Sequence, residues 1–252
     1  MGLTWLEYGV ALAAGIAAGL VDSIAGGGGM ITVPILLALG LPPHLALGTN
    51  KLQSSFGSAT AALRYRGHGL VRFRDVWFGV LMTALGAAAG TGAVQVLDQH
   101  LLARIVPVLL CAVFLYFLFM PMPRAHTQHV PMPRALFFAL CGVTIGFYDG
   151  FFGPGTGSFW AVALVSMAAM PLLQATAVTK VMNFTSNAMA LLVFVLGGNV
   201  VWGLGLLMGV GEICGAWLGT HLAVRRGARF IRMVLLLVVA ATIGYLLWQQ
   251  VR

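Results

Sequence analysis

Continuous apolar runs about twenty residues long fill almost the whole chain, and they constrain its fold more than any other feature. They occupy residues 3–41, 45–63, 76–97, 101–120, 135–171, 173–197, 200–224 and 230–249. A helix needs about 20 apolar residues to cross a bilayer. Spanning barrels read instead as ten-residue segments of alternating polarity. The runs therefore predict an all-α polytopic membrane protein. Only 8% of the 252 residues are charged, against about a quarter in soluble domains. That excludes a water-soluble enzyme, a disordered chain and a nucleic-acid binder, despite the formal net charge of +8.

Two runs are interrupted. The first breaks at DSIAGGGG, 22–29, and the second at DGFFGPGTG, 149–157. The breaks belong to a repeat. Gly19-Leu20-Val21-Asp22 recurs 127 positions on as Gly146-Phe147-Tyr148-Asp149. Lys51 recurs at 129 as Lys180, and Gly86 to Thr91 recurs at the same 129 as Gly215 to Thr220. Internal duplication is a common plan of secondary transporters. The expected division is a first membrane repeat over 1–121, a cytoplasmic linker over 122–134 and a second repeat over 135–252. His126 and His129 fall in that linker and read as solvated.

Ten of the twelve arginines cluster around 64–74, at 124 and 134, and at 225–232. If every run crossed once, the last cluster would face away from the other two, against the positive-inside rule. If each interrupted run is a re-entrant hairpin, all three share the cytoplasmic side. Each repeat is then a broken helical hairpin plus three transmembrane helices, the two repeats are inverted, and both termini lie outside.

Charge within lipid is costly, about 2.5–3.5 kcal/mol for Asp or Lys at mid-helix on insertion scales, and by default marks function. Asp22, Lys51, Asp149, Lys180 and Glu212 all fall inside apolar runs, and the two lysines are the only ones in the chain. One reading is a binding site. The alternative is a pair of structural Asp–Lys bridges, each tying a hairpin to its neighbouring helix. The glycines of the breaks, Gly26, Gly27, Gly28 and Gly29 in one and Gly153, Gly155 and Gly157 with Thr156 in the other, let backbone turn tightly and approach a ligand. New half-helices begin near Met30 and Ser158, and helix N-termini favour anions. Lys51 heads a stripe with Ser54, Ser55 and Ser58, widened by Asn50 and Gln53. Lys180 heads its counterpart, with Asn183 and Asn187, widened by Thr179 and Ser186. Glu212 stands where the first repeat has Thr83, and it reads as a coupling-proton group or a buried partner for a polar neighbour. The GxxxG pairs Gly86/Gly90 and Gly215/Gly219 read as packing faces, open also to a homo-oligomer. No HExxH, GxSxG, Walker A or zinc spacing occurs, so neither an enzyme, a cofactor nor a metal site is expected.

GLVDSIAGGGGMITVPILL with LGTNKLQSSFGSATA, then GFYDGFFGPGTGSFW with ATAVTKVMNFTSNAMALL, together resemble the TauE/SafE sulfite exporter family over nearly the whole chain. The resemblance implies transport of sulfite, organosulfonates or similar small anions across the bacterial inner membrane. It points to Asp22, Gly26 to Gly29, Asn50, Lys51, Asp149, Gly153, Gly155 and Lys180. The second motif departs at Pro154 and Thr156, which interrupt its glycines, and at Thr179, which replaces the Asn before the lysine. Two other readings stand beside it: a proton- or cation-coupled carrier using the carboxylates, and a non-transporting membrane scaffold or sensor.

Overall fold

The computed structural model describes residues 4–119 and 132–250. Nine helices make up the described chain: α1 (Trp5–Ala25), α2 (Gly29–Ala38), α3 (Pro43–Gly67), α4 (Phe73–Gln95), α5 (Gln99–Phe119), α6 (Arg134–Phe151), α7 (Thr156–Ser166), α8 (Leu172–Leu196) and α9 (Trp202–Gln250). No strand occurs among the described residues. The expected linker lies mostly outside them, with His126 and His129.

The local signals explain the boundaries. Thr4 and Glu7 form a reciprocal capping box at the start of α1, where the Thr4 N–H donates to Glu7 Oε2 at 2.7 Å. Pro43 opens α3 at a position where its missing N–H costs nothing. Gly26 ends α1 in the left-handed region, with φ of 80°. Five helices are long and apolar enough to cross a membrane: α1, α4, α6, α8 and the Trp202–Arg226 part of α9. The 25-residue α3 falls short on hydropathy because its polar stripe dilutes it. The short helices α2 and α7, with 10 and 11 residues, rise only about 15–17 Å, half of a core about 30 Å thick.

Both interrupted runs fold back on themselves. Leu36 and Leu41, late in the first hairpin, pack with Ala11 and Ala14, early in α1. The Met132 N–H, just before α6, donates to the Met167 carbonyl, just after α7, at 2.9 Å. The halves then exchange partners: α1 lies along α9, and α6 along α4. Here the GxxxG pairs do their packing. Cβ atoms placed on Gly86 and Gly90 would meet the carbonyls of Val143 and Phe147 on α6 at 2.4 and 2.0 Å. On Gly215 and Gly219 they would lie 2.0 and 2.6 Å from the carbonyls of Ile16 and Leu20 on α1. Ile16 and Leu20 are the repeat counterparts of Val143 and Phe147, so one register is used twice. These faces are spent inside the chain, and a homo-oligomer would need others.

One expectation fails. Runs 200–224 and 230–249 are not two helices joined by a turn but one 49-residue helix, α9. The intervening Arg225–Arg232 stretch contains no proline, and its arginines and alanine favour helix, so the lone Gly227 does not stop it. The helix measures about 70 Å, more than twice a bilayer core. Among the described residues, the segments that carry Arg64 to Arg72, Arg134 and Arg225 nonetheless gather at one end of the bundle. Arg64 stacks on Trp217 of α9 at 4.5 Å, and residues 69–72 border one cavity with Arg134. One apolar cluster holds Tyr65, Val71, Phe137 and Ala223 together.

Candidate functional site

The two breaks meet. A Cβ on Gly26 would lie 2.4 Å from Gly157 Cα, so the two backbones touch, and Ser158 Oγ donates to the Ala25 carbonyl at 2.8 Å. Positive φ falls at Gly26, Gly153 and Gly155 (80°, 100° and 83°), a region that side chains with Cβ enter with strain. Gly28, by contrast, has φ of −55°. Its small size is used sterically, because a Cβ there would press on Asp22 Cβ at 2.9 Å. Gly27 accepts the Met30 N–H at 3.1 Å as α2 begins.

Helices α3 and α8 pack on each other and carry the lysines into this junction. Lys51 and Lys180 are 1% and 0% exposed. Lys51 Nζ donates to Asp149 Oδ1 at 2.6 Å and to Asn187 Oδ1 at 3.2 Å. An ammonium has three donors, two of which are used here, and Lys51 also lines the cavity. Lys180 Nζ donates to the Asp22 carbonyl and lies 3.4 Å from Asp22 Oδ2. Each lysine thus pairs with the hairpin of the other half. The expectation that a bridge would tie a hairpin to its own neighbouring helix is wrong in its partners. The hairpins interleave at the junction, which brings Asp149 to α3 and Asp22 to α8.

The two pairs differ in support. The Ser186 hydroxyl donates to Asp149 Oδ2, so Asp149 is bonded on both oxygens and buried. Asp22 has its looser bridge, and its side chain is 16% exposed. Hydrogen bonding and pairing must offset the desolvation of a buried charge, and the Asp149 pair meets that need more fully.

A cavity of about 20 Å³ lies between the breaks, enough for about one water. Asp22, Gly26, Gly29, Asn50, Lys51, Ser54, Asp149, Gly153, Thr156, Gly157, Asn183 and Asn187 line it. Most of the expected site residues therefore converge. Gly27, Gly28, Gly155, Thr179 and Lys180 stand behind the wall rather than in it. Thr156 Oγ1 is turned to the Gly153 carbonyl at 2.6 Å. Asn50 is held by Thr32 and Gln53, whose donors reach its Oδ1 at 2.6 and 3.0 Å. Two buried acceptors, Asn183 Oδ1 and Thr179 Oγ1, have no partner among the described residues. Thr32 and the tie from the Tyr148 hydroxyl to the Pro154 carbonyl escape sequence reasoning. Each is one polar residue in an apolar run, and nothing in the spacing marks its partner.

Glu212 is buried on α9, away from the cavity wall.

The family model for the sulfite exporter TauE/SafE matches residues 11–246. A probable membrane transporter protein of Haemophilus influenzae is 43% identical over 218 residues, covering 86% of each chain. The probable membrane transporter protein YfcA of Escherichia coli K12 is 40% identical over 97% of this chain and 91% of its own. Another, ORF9 of a Sinorhizobium species, is 45% identical over 88% of this chain and 85% of its own. No solved structure matches.

Proposed function

The chain belongs to the sulfite exporter TauE/SafE family of membrane transporters, and from that premise we propose that it carries small sulfur-containing anions, sulfite or organosulfonates, by alternating access across the bacterial inner membrane. The observation that carries this reading is the pair of buried lysines, equivalent in the repeat, beside a small cavity closed by two touching glycine breaks. A scaffold needs ion pairs but has no use for a polar cavity between them.

The cavity has room for about one water, and in this reading the structure corresponds to an occluded form. An oxyanion needs the breaks to part. Parting them opens the Gly26–Gly157 contact and gives the anion donors already in place: the free N–H of Lys51, the Asn183 and Asn187 amides, and the first-turn backbone of α2 and α7 at Gly29 and Gly157. Asp22 and Asp149 hold the lysines when the anion is absent, which keeps the empty site neutral. In this proposal the repeats are inverted, the hairpins open alternately to the two sides, and the arginine-rich end faces the cytoplasm. With the cytoplasm negative, export of each anionic charge gains about 2.3 kcal/mol per 100 mV.

Thermal-shift measurement of purified protein with sulfite, sulfate, taurine and sulfoacetate, followed by flux of any hit in proteoliposomes, tests the proposal. Stabilisation and flux by at least one anion is expected. No stabilisation by any anion and no flux refutes it.

A further inference from the structure

The cavity at the basic end of the bundle is separate from the lysine junction and larger. It measures about 130 Å³, against about 20 Å³ for the cavity between the breaks. That is room for several waters, or for one phosphate group. Its floor is apolar, with Val76, Phe138 and Val178 buried. Its charged wall is Arg72, Asp75 and Arg134, with Gln174 beside them, and all four reach solvent. Among the described residues neither guanidinium has a hydrogen bond or an ion pair, and Asp75 is not within bridging distance of either. Two arginines therefore border one space with their donors unspent.

The repeat shows that this arrangement is not a by-product of the fold. At the spacing of 129, Arg72, Asp75 and Gln174 correspond to Val201, Leu204 and Leu45. At 127, Arg134 corresponds to Glu7 and Phe138 to Ala11. Ala11, Leu45, Val201 and Leu204 pack together in one apolar cluster, and Glu7 is spent on its capping box with Thr4. The Val201 N–H donates to Thr49 Oγ1 at 3.0 Å, whereas Val178, the counterpart of Thr49, offers Arg72 no hydroxyl. The same place in the fold is packed with apolar side chains in one half, and is open and basic in the other.

Three helices begin at this cavity. None of α4, α6 and α8 has a side-chain cap, so their first N–H groups add a positive field to that of the arginines. The apolar spans of these helices start at Phe73, Arg134 and Leu172. That sets the cavity at the edge of the hydrocarbon core, where lipid headgroups begin. Phe73, Trp77 and Leu136, on the same first turns, are exposed. Planar guanidiniums take phosphate oxygens in pairs, and basic pockets between membrane helices bind phosphate headgroups.

We propose that this cavity is a phosphate-binding site, in which Arg72 and Arg134 hold one phosphate group between α4 and α6. With Asp75 the wall keeps one net positive charge, which matches the single negative charge of a phosphodiester. The ligand chemistry has two sources, a phospholipid headgroup of the adjoining leaflet and free phosphate from water. Either one bridges α4 of the first repeat to α6 of the second. The site is distinct from the proposed transport pathway, and its test does not depend on transport.

The test uses purified protein in maltoside detergent, washed free of lipid and phosphate. Three probes are offered: inorganic phosphate, dioleoylphosphatidylglycerol, and dioleoylglycerol, which lacks the phosphate. Native mass spectrometry counts retained lipid, and thermal unfolding reads inorganic phosphate. Saturable retention of phosphatidylglycerol but not of dioleoylglycerol supports the site and names the headgroup as its source. A rise in unfolding temperature with inorganic phosphate supports it and names the free anion. Arg72→Gln and Arg134→Gln should each weaken binding about tenfold or more. Neither should lower the unfolding temperature of the protein alone, since neither side chain is bonded. Arg225→Gln, at the same end but outside the cavity, should bind as wild type. The site is overturned by a wild type that binds neither phosphate probe, that retains dioleoylglycerol equally, or that binds no better than the two cavity variants. An equal loss in Arg225→Gln shows surface charge alone and overturns it too.

Discussion

The crossed bridges make a prediction that separates the function of the lysines from their structural role. Lys51→Met keeps length and bulk but leaves Asp149 buried with only Ser186 for support. Removing one partner of a buried pair costs about 3–5 kcal/mol, whereas replacing both with neutral groups is often nearly neutral. At an effective dielectric near 20, the gross attraction is about 6 kcal/mol for the Lys51–Asp149 contact at 2.6 Å and about 5 kcal/mol for Lys180–Asp22 at 3.4 Å. Partial exposure of Asp22 lowers the second further. Lys51→Met should therefore destabilise the fold by roughly 3–5 kcal/mol and Lys180→Met by less. The double variant Lys51→Met with Asp149→Asn should recover most of that loss. Lys51→Met with Asp22→Asn, which pairs residues of one repeat, should not, since it breaks both bridges and leaves Asp149 and Lys180 each unpaired. Denaturation of purified variants in mild detergent gives the stabilities, and proteoliposome flux gives the function. We expect the crossed double to regain stability with flux still absent. Recovered flux in that double would show that the lysine charge is not used on substrate. Recovery by the same-repeat double would refute the crossed geometry itself.

Gly26→Val and Gly157→Val should each abolish folding or flux, because their Cβ atoms would stand 2.4 Å from the opposing backbone; normal flux in either would show that the breaks need not touch. Gly155→Val should be defective through its φ of 83°, and Gly28→Ala should be milder, since its φ is ordinary and only contact with Asp22 and Ala18 opposes it. In a cysteine-free background, His68→Cys and Arg225→Cys should be labelled from the same, cytoplasmic side, and labelling from opposite sides would refute the shared basic face. Gly90→Leu should destabilise the α4–α6 contact strongly, as its side chain would start 2.0 Å from the Phe147 carbonyl; an unfolding free energy within about 1 kcal/mol of wild type would contradict that packing.

Much of this was legible in the sequence because membrane burial makes polar residues rare. Asp22, Lys51, Asp149 and Lys180 stood out against apolar runs, and the glycine breaks stood out because they interrupt them. Duplication fixed which residues are equivalent. It did not fix which touch, and the pairing was misjudged for that reason: equivalence under a repeat is compatible with partners inside a half or across halves. The choice was made by interleaving of the hairpins, a tertiary fact with no local signal. The continuity of α9 was missed for a related reason. A charge cluster between two apolar runs reads as a loop, but arginine and alanine are good helix formers, and only proline or a cap would have ended the helix. Ser186 was visible only as a widening of a stripe, and Gly57 carried no signal until the Glu212 carboxylate was found against it.

Departures from the repeat say more about mechanism than its symmetry does. If both halves served the same purpose, both aspartates would be held alike. Instead Asp149 has a close lysine and a serine hydroxyl, while Asp22 has a looser lysine, partial exposure to the cavity and, in place of the serine, a glycine backed by a buried glutamate. A fully satisfied buried network rigidifies, and a partly satisfied one is where a structure most readily rearranges. The Lys51–Asp149 side is thus suited to be the fixed half of the site, and the Lys180–Asp22 side the half that yields. In the proposed carrier, opening would begin at the first break, where Gly26 meets Gly157 and where Asp22 lines the cavity.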